Sequence, residues 1–118
     1  MDYKRGQIVL VNFNPQRKRE EVGKIRPAII ISDSSLNEIL DLVTVIPLTT
    51  NLIDNALPLR VRIKKRDKLK QDSDAMIENI RAISKERILE NLSTITTNEM
   101  KLLEIGIKKL LKLFEPNI

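Results

Sequence analysis

Three short apolar runs punctuate the first half of the chain: Ile8-Val9-Leu10-Val11, Ala28-Ile29-Ile30-Ile31 and Leu42-Val43-Thr44-Val45-Ile46. Each is largely β-branched, lacks polar alternation and is bounded by turn formers, the pattern of a strand packed on both faces. Gly6 opens the first, Gln7 to Phe13, and Asn12 with Asn14-Pro15 closes it. Pro27 biases Arg26 towards an extended backbone and suits the first residue or the edge of a strand. Pro47 is expected to stop the third strand, so that Leu48-Thr49-Thr50-Asn51 leaves the ladder and presents its hydroxyls. Leu57 to Lys64 alternates, with Leu59, Val61 and Ile63 on one face and Arg60, Arg62 and Lys64 on the other. Asp74 to Ile83 reads as one more strand with a bend near Asn79, and Ile88 to Ile95 as a connection.

Helical signals are fewer. Ser32-Asp33-Ser34-Ser35 supplies N-cap chemistry for a short helix over Leu36 to Leu40, and Ser84 to Arg87 suits a single turn. Thr96-Thr97-Asn98-Glu99 matches a capping box. Met100, Leu103, Ile107, Leu110, Leu111 and Phe114 then recur at helical spacing until Glu115-Pro116. Gly106 inside this helix points to a close approach, since it costs about 1 kcal/mol relative to Ala there. Leu102, Ile105 and Leu113 widen the apolar stripe, which fits a homodimer contact and a broad core face equally well. The expected fold is mainly β: five or six short strands in a small, partly open barrel, with a short internal helix and a C-terminal amphipathic helix packed on it.

Composition narrows the chemistry. At 118 residues the chain is expected to form a single domain, residues 1–118. It has neither cysteine nor histidine, so thiolate chemistry, the commonest zinc ligand and the usual neutral-pH acid/base are all missing. Catalysis would fall to carboxylates, hydroxyls, arginine and lysine, and no metal or cofactor is expected. The net charge of +5 favours a polyanionic partner, nucleic acid or an acidic protein, while one Tyr and two Phe offer few platforms for stacking bases. The apolar runs are too short to span a bilayer and Met1 to Gly6 resembles no signal peptide, which points to a cytoplasmic protein without a membrane partner.

The candidate chemistry gathers around Arg26, a guanidinium at the mouth of a rigid strand and suited to a phosphate. The charged segment Gln16 to Ile25 before it, with Arg17-Lys18-Arg19-Glu20-Glu21, reads as a loop between two central strands. Arg60, Arg62, Lys64, Lys65, Arg66, Lys68 and Lys70 form a basic stripe, which suits either phosphate contacts or an edge strand protected by charge. Thr49 and Thr50 are candidate donors, and a hydroxyl bonded to its own backbone is the plainer expectation for Thr50. Glu78 and Arg81 are expected to pair with each other.

These segments together resemble the MazF/PemK family of toxin endoribonucleases over nearly the whole chain. Lys4 to Val11 with Asn14-Pro15, Glu21 to Ser32, Asn37, Val45-Ile46-Pro47-Leu48-Thr49, and Asp72-Ser73 with Glu78 to Ile83 carry the resemblance, in order and with fitting gaps. It implies a homodimeric SH3-like barrel that cuts single-stranded RNA without a metal, leaving 2′,3′-cyclic phosphate and 5′-hydroxyl ends, and that is held by an acidic antitoxin. On this resemblance Arg26 and Thr49 match the principal catalytic pair. Glu21 and then Glu78 are the carboxylates to consider for proton transfer. Lys18, Arg19, Thr50, Asn51, Glu78, Asn79 and Arg81 are the expected RNA contacts. Asn79, Ala82 and Asp74 depart from the family's usual residues; Asp74 puts a charge where an apolar strand residue is common. A CcdB-like toxin that binds gyrase, and a degenerate member that binds only RNA or antitoxin, share the fold and remain alternatives.

Overall fold

The computed structural model describes residues 2–13 and 25–114. Seven strands and two helices follow one another: β1 (Gln7–Asn12), β2 (Ile25–Ile30), α1 (Ser34–Ile39), β3 (Leu42–Thr49), β4 (Arg60–Ile63), β5 (Ser73–Met76), β6 (Arg81–Ser84), β7 (Ile88–Thr94) and α2 (Thr97–Leu111). All described pairings are antiparallel, in the order β4-β5-β3-β2-β1-β7, with β6 on β3 beside β5. This is the partly open barrel with two helices that the patterning predicts.

The unalternating runs behave as expected, because the β1–β2–β3 ladder separates two cores. Ile8, Ile29, Ile46 and Leu48 face Val61, Ile63, Ala75, Leu92, Met100 and Leu103, the side covered by α2. Val9, Val11, Ala28, Ile30 and Val45 face the opposite way, onto Phe13, Ile83 and Ile88. Neighbouring residues on one strand thus enter different cores, so polar side chains have no place along the ladder except at its ends.

Several expectations change. Both prolines lie inside strands. Pro27 is the third residue of β2, but the β2–β3 ladder begins only at Ala28. Pro47 does not stop β3: it pairs with Ala28 on one side, while on the other it falls between the end of the β6 ladder at Val45 and the start of the β5 ladder at Leu48. Each missing N–H is therefore lost where the ladder is already interrupted. Asp74 to Ile83 is two strands joined by a 3₁₀ turn over Ile77–Asn79. Ile88–Thr94 is a strand rather than a connection; two register shifts against β1 blur its alternation. The second helix ends at Leu111, with Lys112 in the left-handed conformation, before the periodic series does, and Phe114 is 86% exposed.

Local signals hold elsewhere. Asp33 caps α1 by accepting from the backbone of Ser35 and Leu36, and Thr96 and Glu99 form the reciprocal capping box of α2. Ser84 caps a 3₁₀ turn over Lys85–Arg87. Buried Asn37 locks α1 to the rest, donating to the carbonyls of Tyr3 (2.8 Å) and Ser32 (3.1 Å) and accepting from the Ser32 hydroxyl. The barrel closes through a hairpin rather than a strand pair. The β4–β5 turn reaches β7, with Lys68 N–H donating to Leu92 O at 3.2 Å and Lys68 Nζ to Glu90 at 3.1 Å. Arg66 makes a two-pronged bond to Glu99 of α2, each arm 2.7 Å. Among the described residues no helix is long and apolar enough to cross a membrane.

Gly106 is the close approach its sequence position suggests. A Cβ there would lie 2.2 Å from Ile77 Cδ1 and 2.3 Å from the Pro58 carbonyl oxygen. The backbone oxygen cannot rotate away, so overpacking outweighs the helix-propensity gain. Gly106→Ala is expected to lower stability by about 2 kcal/mol, read from urea unfolding; a gain of stability would contradict this packing.

Candidate active site

Arg26 is the second residue of β2, half-buried, and pairs across the ladder with Val11. The β2–β3 ladder pairs Ala28 with Pro47, Ile29 with Ile46 and Ile30 with Val45, and extending that register two residues past its last pair sets Arg26 across from Thr49. Thr49 in turn pairs with Asp74 on β5, and Asp74 with Arg62 on β4. Thr49, Asp74 and Arg62 thus form one row across three strands, and by strand alternation Arg26 lies on the same side of the sheet at the start of β2.

The charges in this row differ in what they already hold. Asp74 is 1% exposed. It accepts from Arg62 Nε at 2.6 Å and from Ile53 N–H at 2.7 Å, and Arg62 also donates to Asp54 at 2.8 Å. Burial acts to raise the Asp74 pKa. The Arg62 and Ile53 hydrogen bonds, with the nearby guanidinium charges, outweigh it and hold the carboxyl below its ordinary value. The same Asp74 and Asp54 bonds raise the Arg62 pKa further. Arg26 is the opposite case. Of the seven described arginines, Arg5, Arg60, Arg62 and Arg66 are paired with carboxylates, Arg87 donates to the Phe13 carbonyl and Arg81 lies over the Phe13 ring. Among the described residues, Arg26 alone of these has no hydrogen-bond, ion-pair or ring partner.

Thr49 is half-buried, and its hydroxyl oxygen accepts from Asn51 N–H at 3.1 Å. Turn bonding was the expectation for Thr50, but Thr49 is the residue that shows it. The bond uses the oxygen as acceptor and leaves the hydroxyl hydrogen free to donate. Thr50 and Asn51 are exposed just beyond. Thr50 lines a cavity of about 580 Å³ with Leu10, Pro27, Leu69, Gln71 and Leu92. By strand alternation Arg26 and Thr49 lie one residue from this cavity, on the other face of the same strand ends.

The remaining candidates are spread out. Glu78 binds Arg60 at 3.2 Å, not Arg81 as expected, because the 3₁₀ turn swings it towards β4. It lies on the far side of β3 from Arg26. Asn79 donates to the Met76 sulfur at 3.5 Å, and Arg81 sits 5.2 Å from the Phe13 ring centre. Lys18, Arg19 and Glu21 lie outside the described residues. The basic stripe is largely compensated: Arg60, Arg62, Arg66 and Lys68 are paired, which leaves Lys64, Lys65 and Lys70 without an ion pair among the described residues. Among those residues no three His, Cys, Asp or Glu side chains converge as a metal site requires. Sequence reasoning missed the Arg62–Asp74–Ile53 contacts. Opposite charges at matching positions of a hairpin, Arg62 and Asp74, were the available signal.

Comparison with known proteins agrees with this architecture. Residues 4–111 match the family model described as PemK-like, MazF-like toxin of type II toxin-antitoxin system. The chain is 32% identical over 98 residues to an endoribonuclease MazF of Staphylococcus epidermidis, covering 82% of this chain and 81% of that one. It is 32% identical over 99 residues to the endoribonuclease MazF of Staphylococcus saprophyticus, covering 83% and 82%. Among solved structures, the Mycobacterium tuberculosis toxin MazF-mt6 superposes with a TM-score of 0.76 at 20% identity, covering 92% of this chain and 99% of that one. A mycobacterial endoribonuclease in complex with its cognate antitoxin superposes with a TM-score of 0.74 at 21% identity, covering 96% and 98%.

The lowered carboxyls set an acid response. Asp74 and Glu99 titrate below the ordinary carboxylate range in the folded protein: for Glu99, burial raises the pKa but bonds from Arg66 and Thr96 N–H prevail. Their contribution is complete above the unfolded values near pH ~4. It is lost as pH falls through the lower folded values. Urea unfolding at pH 7 and pH 3 is expected to show a smaller acid-induced loss in Glu99→Gln than in the wild type; equal losses would refute the assignment.

Proposed function

The chain belongs to the PemK-like, MazF-like toxins of type II toxin–antitoxin systems and is an endoribonuclease; from that premise we propose that Arg26 and Thr49 bind and activate the scissile phosphate of a single-stranded RNA. The observation that carries this is the Arg26 guanidinium, which has no partner among the described residues. Every other described arginine is engaged within the fold, whereas Arg26 is held at a strand mouth, across from Thr49 when the β2–β3 register is extended.

In this reading the RNA 2′-oxygen attacks the adjacent phosphorus as the bond from phosphorus to the 5′-oxygen breaks, giving a 2′,3′-cyclic phosphate and a 5′-hydroxyl. Charge on the non-bridging oxygens is met by two parallel N–H donors of Arg26 and by the Thr49 hydroxyl. With Arg26 kept as a donor throughout, the 2′-hydroxyl proton passes to a carboxylate and the leaving 5′-oxygen takes its proton from water. We assign that role to Glu21, five residues before Arg26; Glu78, bound to Arg60 across β3, is the second choice. Lys18, Arg19, Thr50, Asn51, Asn79 and Arg81 are assigned to the RNA path, which sets the cleavage sequence. The same reading places the protein in the cytoplasm as a homodimer, supported by the exposed apolar residues Leu102, Ile105 and Leu113 on and just beyond α2. Its inhibitor is an acidic antitoxin, drawn by Lys64, Lys65 and Lys70, which carry no ion pair among the described residues.

With a long single-stranded RNA in chelator, the wild type is expected to produce discrete cuts with cyclic-phosphate ends. Arg26→Ala and Thr49→Ala should each lower kcat by about a hundredfold or more with unchanged circular dichroism; wild-type rates in folded Arg26→Ala would sink the assignment. For the acidic partner, dissociation constants measured at rising ionic strength should weaken steadily, and a flat titration would remove the electrostatic part of the reading.

A further inference from the structure

Asp74 is a charge nearly inaccessible to solvent, flanked across the sheet by Thr49 on β3 and Arg62 on β4. A buried carboxylate is tolerated only when its oxygens are satisfied. Here one oxygen takes Arg62 Nε at 2.6 Å and the other takes Ile53 N–H at 2.7 Å. Arg62 extends the hold to Asp54 at 2.8 Å. The Ile53 and Asp54 contacts both tie down the segment that follows Thr49, and the Arg62–Asp74 bond joins them. The first turn of that segment carries Asn51, whose N–H donates to the Thr49 hydroxyl at 3.1 Å.

We propose that Asp74, with Arg62, is a positioning residue for the reaction: it holds the 50–54 segment against the sheet, so that Asn51 N–H fixes the Thr49 hydroxyl with its hydrogen directed away from the chain. The inference rests on the assignment of Thr49 above. Ile53, Asp54 and Thr50 are exposed and contribute little apolar burial of their own. The buried carboxylate is the anchor that replaces it. Neutralisation by Arg62 matters for a second reason, because an unpaired carboxylate in this row would repel the phosphate that Thr49 is to meet.

The test uses the full chain, single-stranded RNA and saturation kinetics below the unfolding temperature of every variant. Asp74→Asn keeps the shape and an acceptor for Ile53 N–H but loses the charge that holds Arg62. It is expected to lower kcat by about tenfold or more while KM changes by less than about threefold. Arg62→Lys keeps the positive charge and removes the fork, so kcat should fall severalfold; it decides the matter if Asp74→Asn does not fold. Hydrogen exchange at the Asn51 and Ile53 amides should accelerate in both variants, which a merely less stable core would not confine to these positions. Glu104→Gln, which breaks the exposed Arg5–Glu104 pair, is expected to leave kcat and these amides unchanged. Wild-type kcat in both folded variants, or a loss confined to KM, would overturn this inference alone. Absence of cleavage by the wild type would overturn the proposed function with it.

Discussion

Burial of the β1–β2–β3 ladder on both faces is the constraint on which the remaining structure depends. A sheet wetted on one side can scatter charges along its length. This ladder cannot, because alternate residues of the same strand enter two different cores. Polar function is therefore expelled to where strands begin and end. The β2 start and the β3 end lie at one such place, and extending their register sets Arg26 across from Thr49 there. The prolines belong to the same logic. Each sits where a ladder partner is already missing, so rigidity near the mouth is gained without orphaning a backbone group.

Positive charge serves two purposes in this molecule. The described arginines mostly build: Arg62 seats a buried carboxylate, Arg66 ties the β4–β5 turn to α2, and Arg87 caps the Phe13 carbonyl. Their planar forks are used on internal oxygens, a task lysine performs poorly. Counting cations along the stripe from Arg60 to Lys70 therefore overstates what an outside polyanion can meet. Arg26 stands apart among the described arginines: its strand partner, Val11, offers no carboxylate.

Much of this was legible in the chain. The strands buried on both faces, the capping box, the Asp33 cap and the tight place at Gly106 could all be read from residue type and spacing, whereas the Arg26–Thr49 pair came from the family resemblance. What failed did so for physical reasons. Pro47 suggests a stop because it restricts φ and removes a donor, but β3 runs through it at a point where that donor has no ladder partner to lose. Two register shifts against β1 hid β7. Glu78 was given to Arg81, its near neighbour in sequence, but a 3₁₀ turn re-aimed it at Arg60 on another strand. The Asp74 anchor was the least legible feature, since its partners Arg62 and Ile53 are distant in sequence and become neighbours only once the hairpin register is set.

The turn that bridges the open side of the barrel also borders the cavity beside the strand mouth. The cavity floor is apolar, made by Leu10, Leu69 and Leu92, while its wall includes Lys68 and Glu90, an ion pair that adds to the backbone and side-chain bonds between the β4–β5 turn and β7. Leu69 and Leu92 belong to the main core and are held by burial. The Lys68–Glu90 pair is largely solvated and contributes about 1 kcal/mol or less. Depth and width are thus governed by different forces. The floor is as firm as the fold itself, whereas one edge of the opening is an exposed ion pair that salt, or a competing anion, can part while the turn stays bonded to β7 and the core beneath is undisturbed.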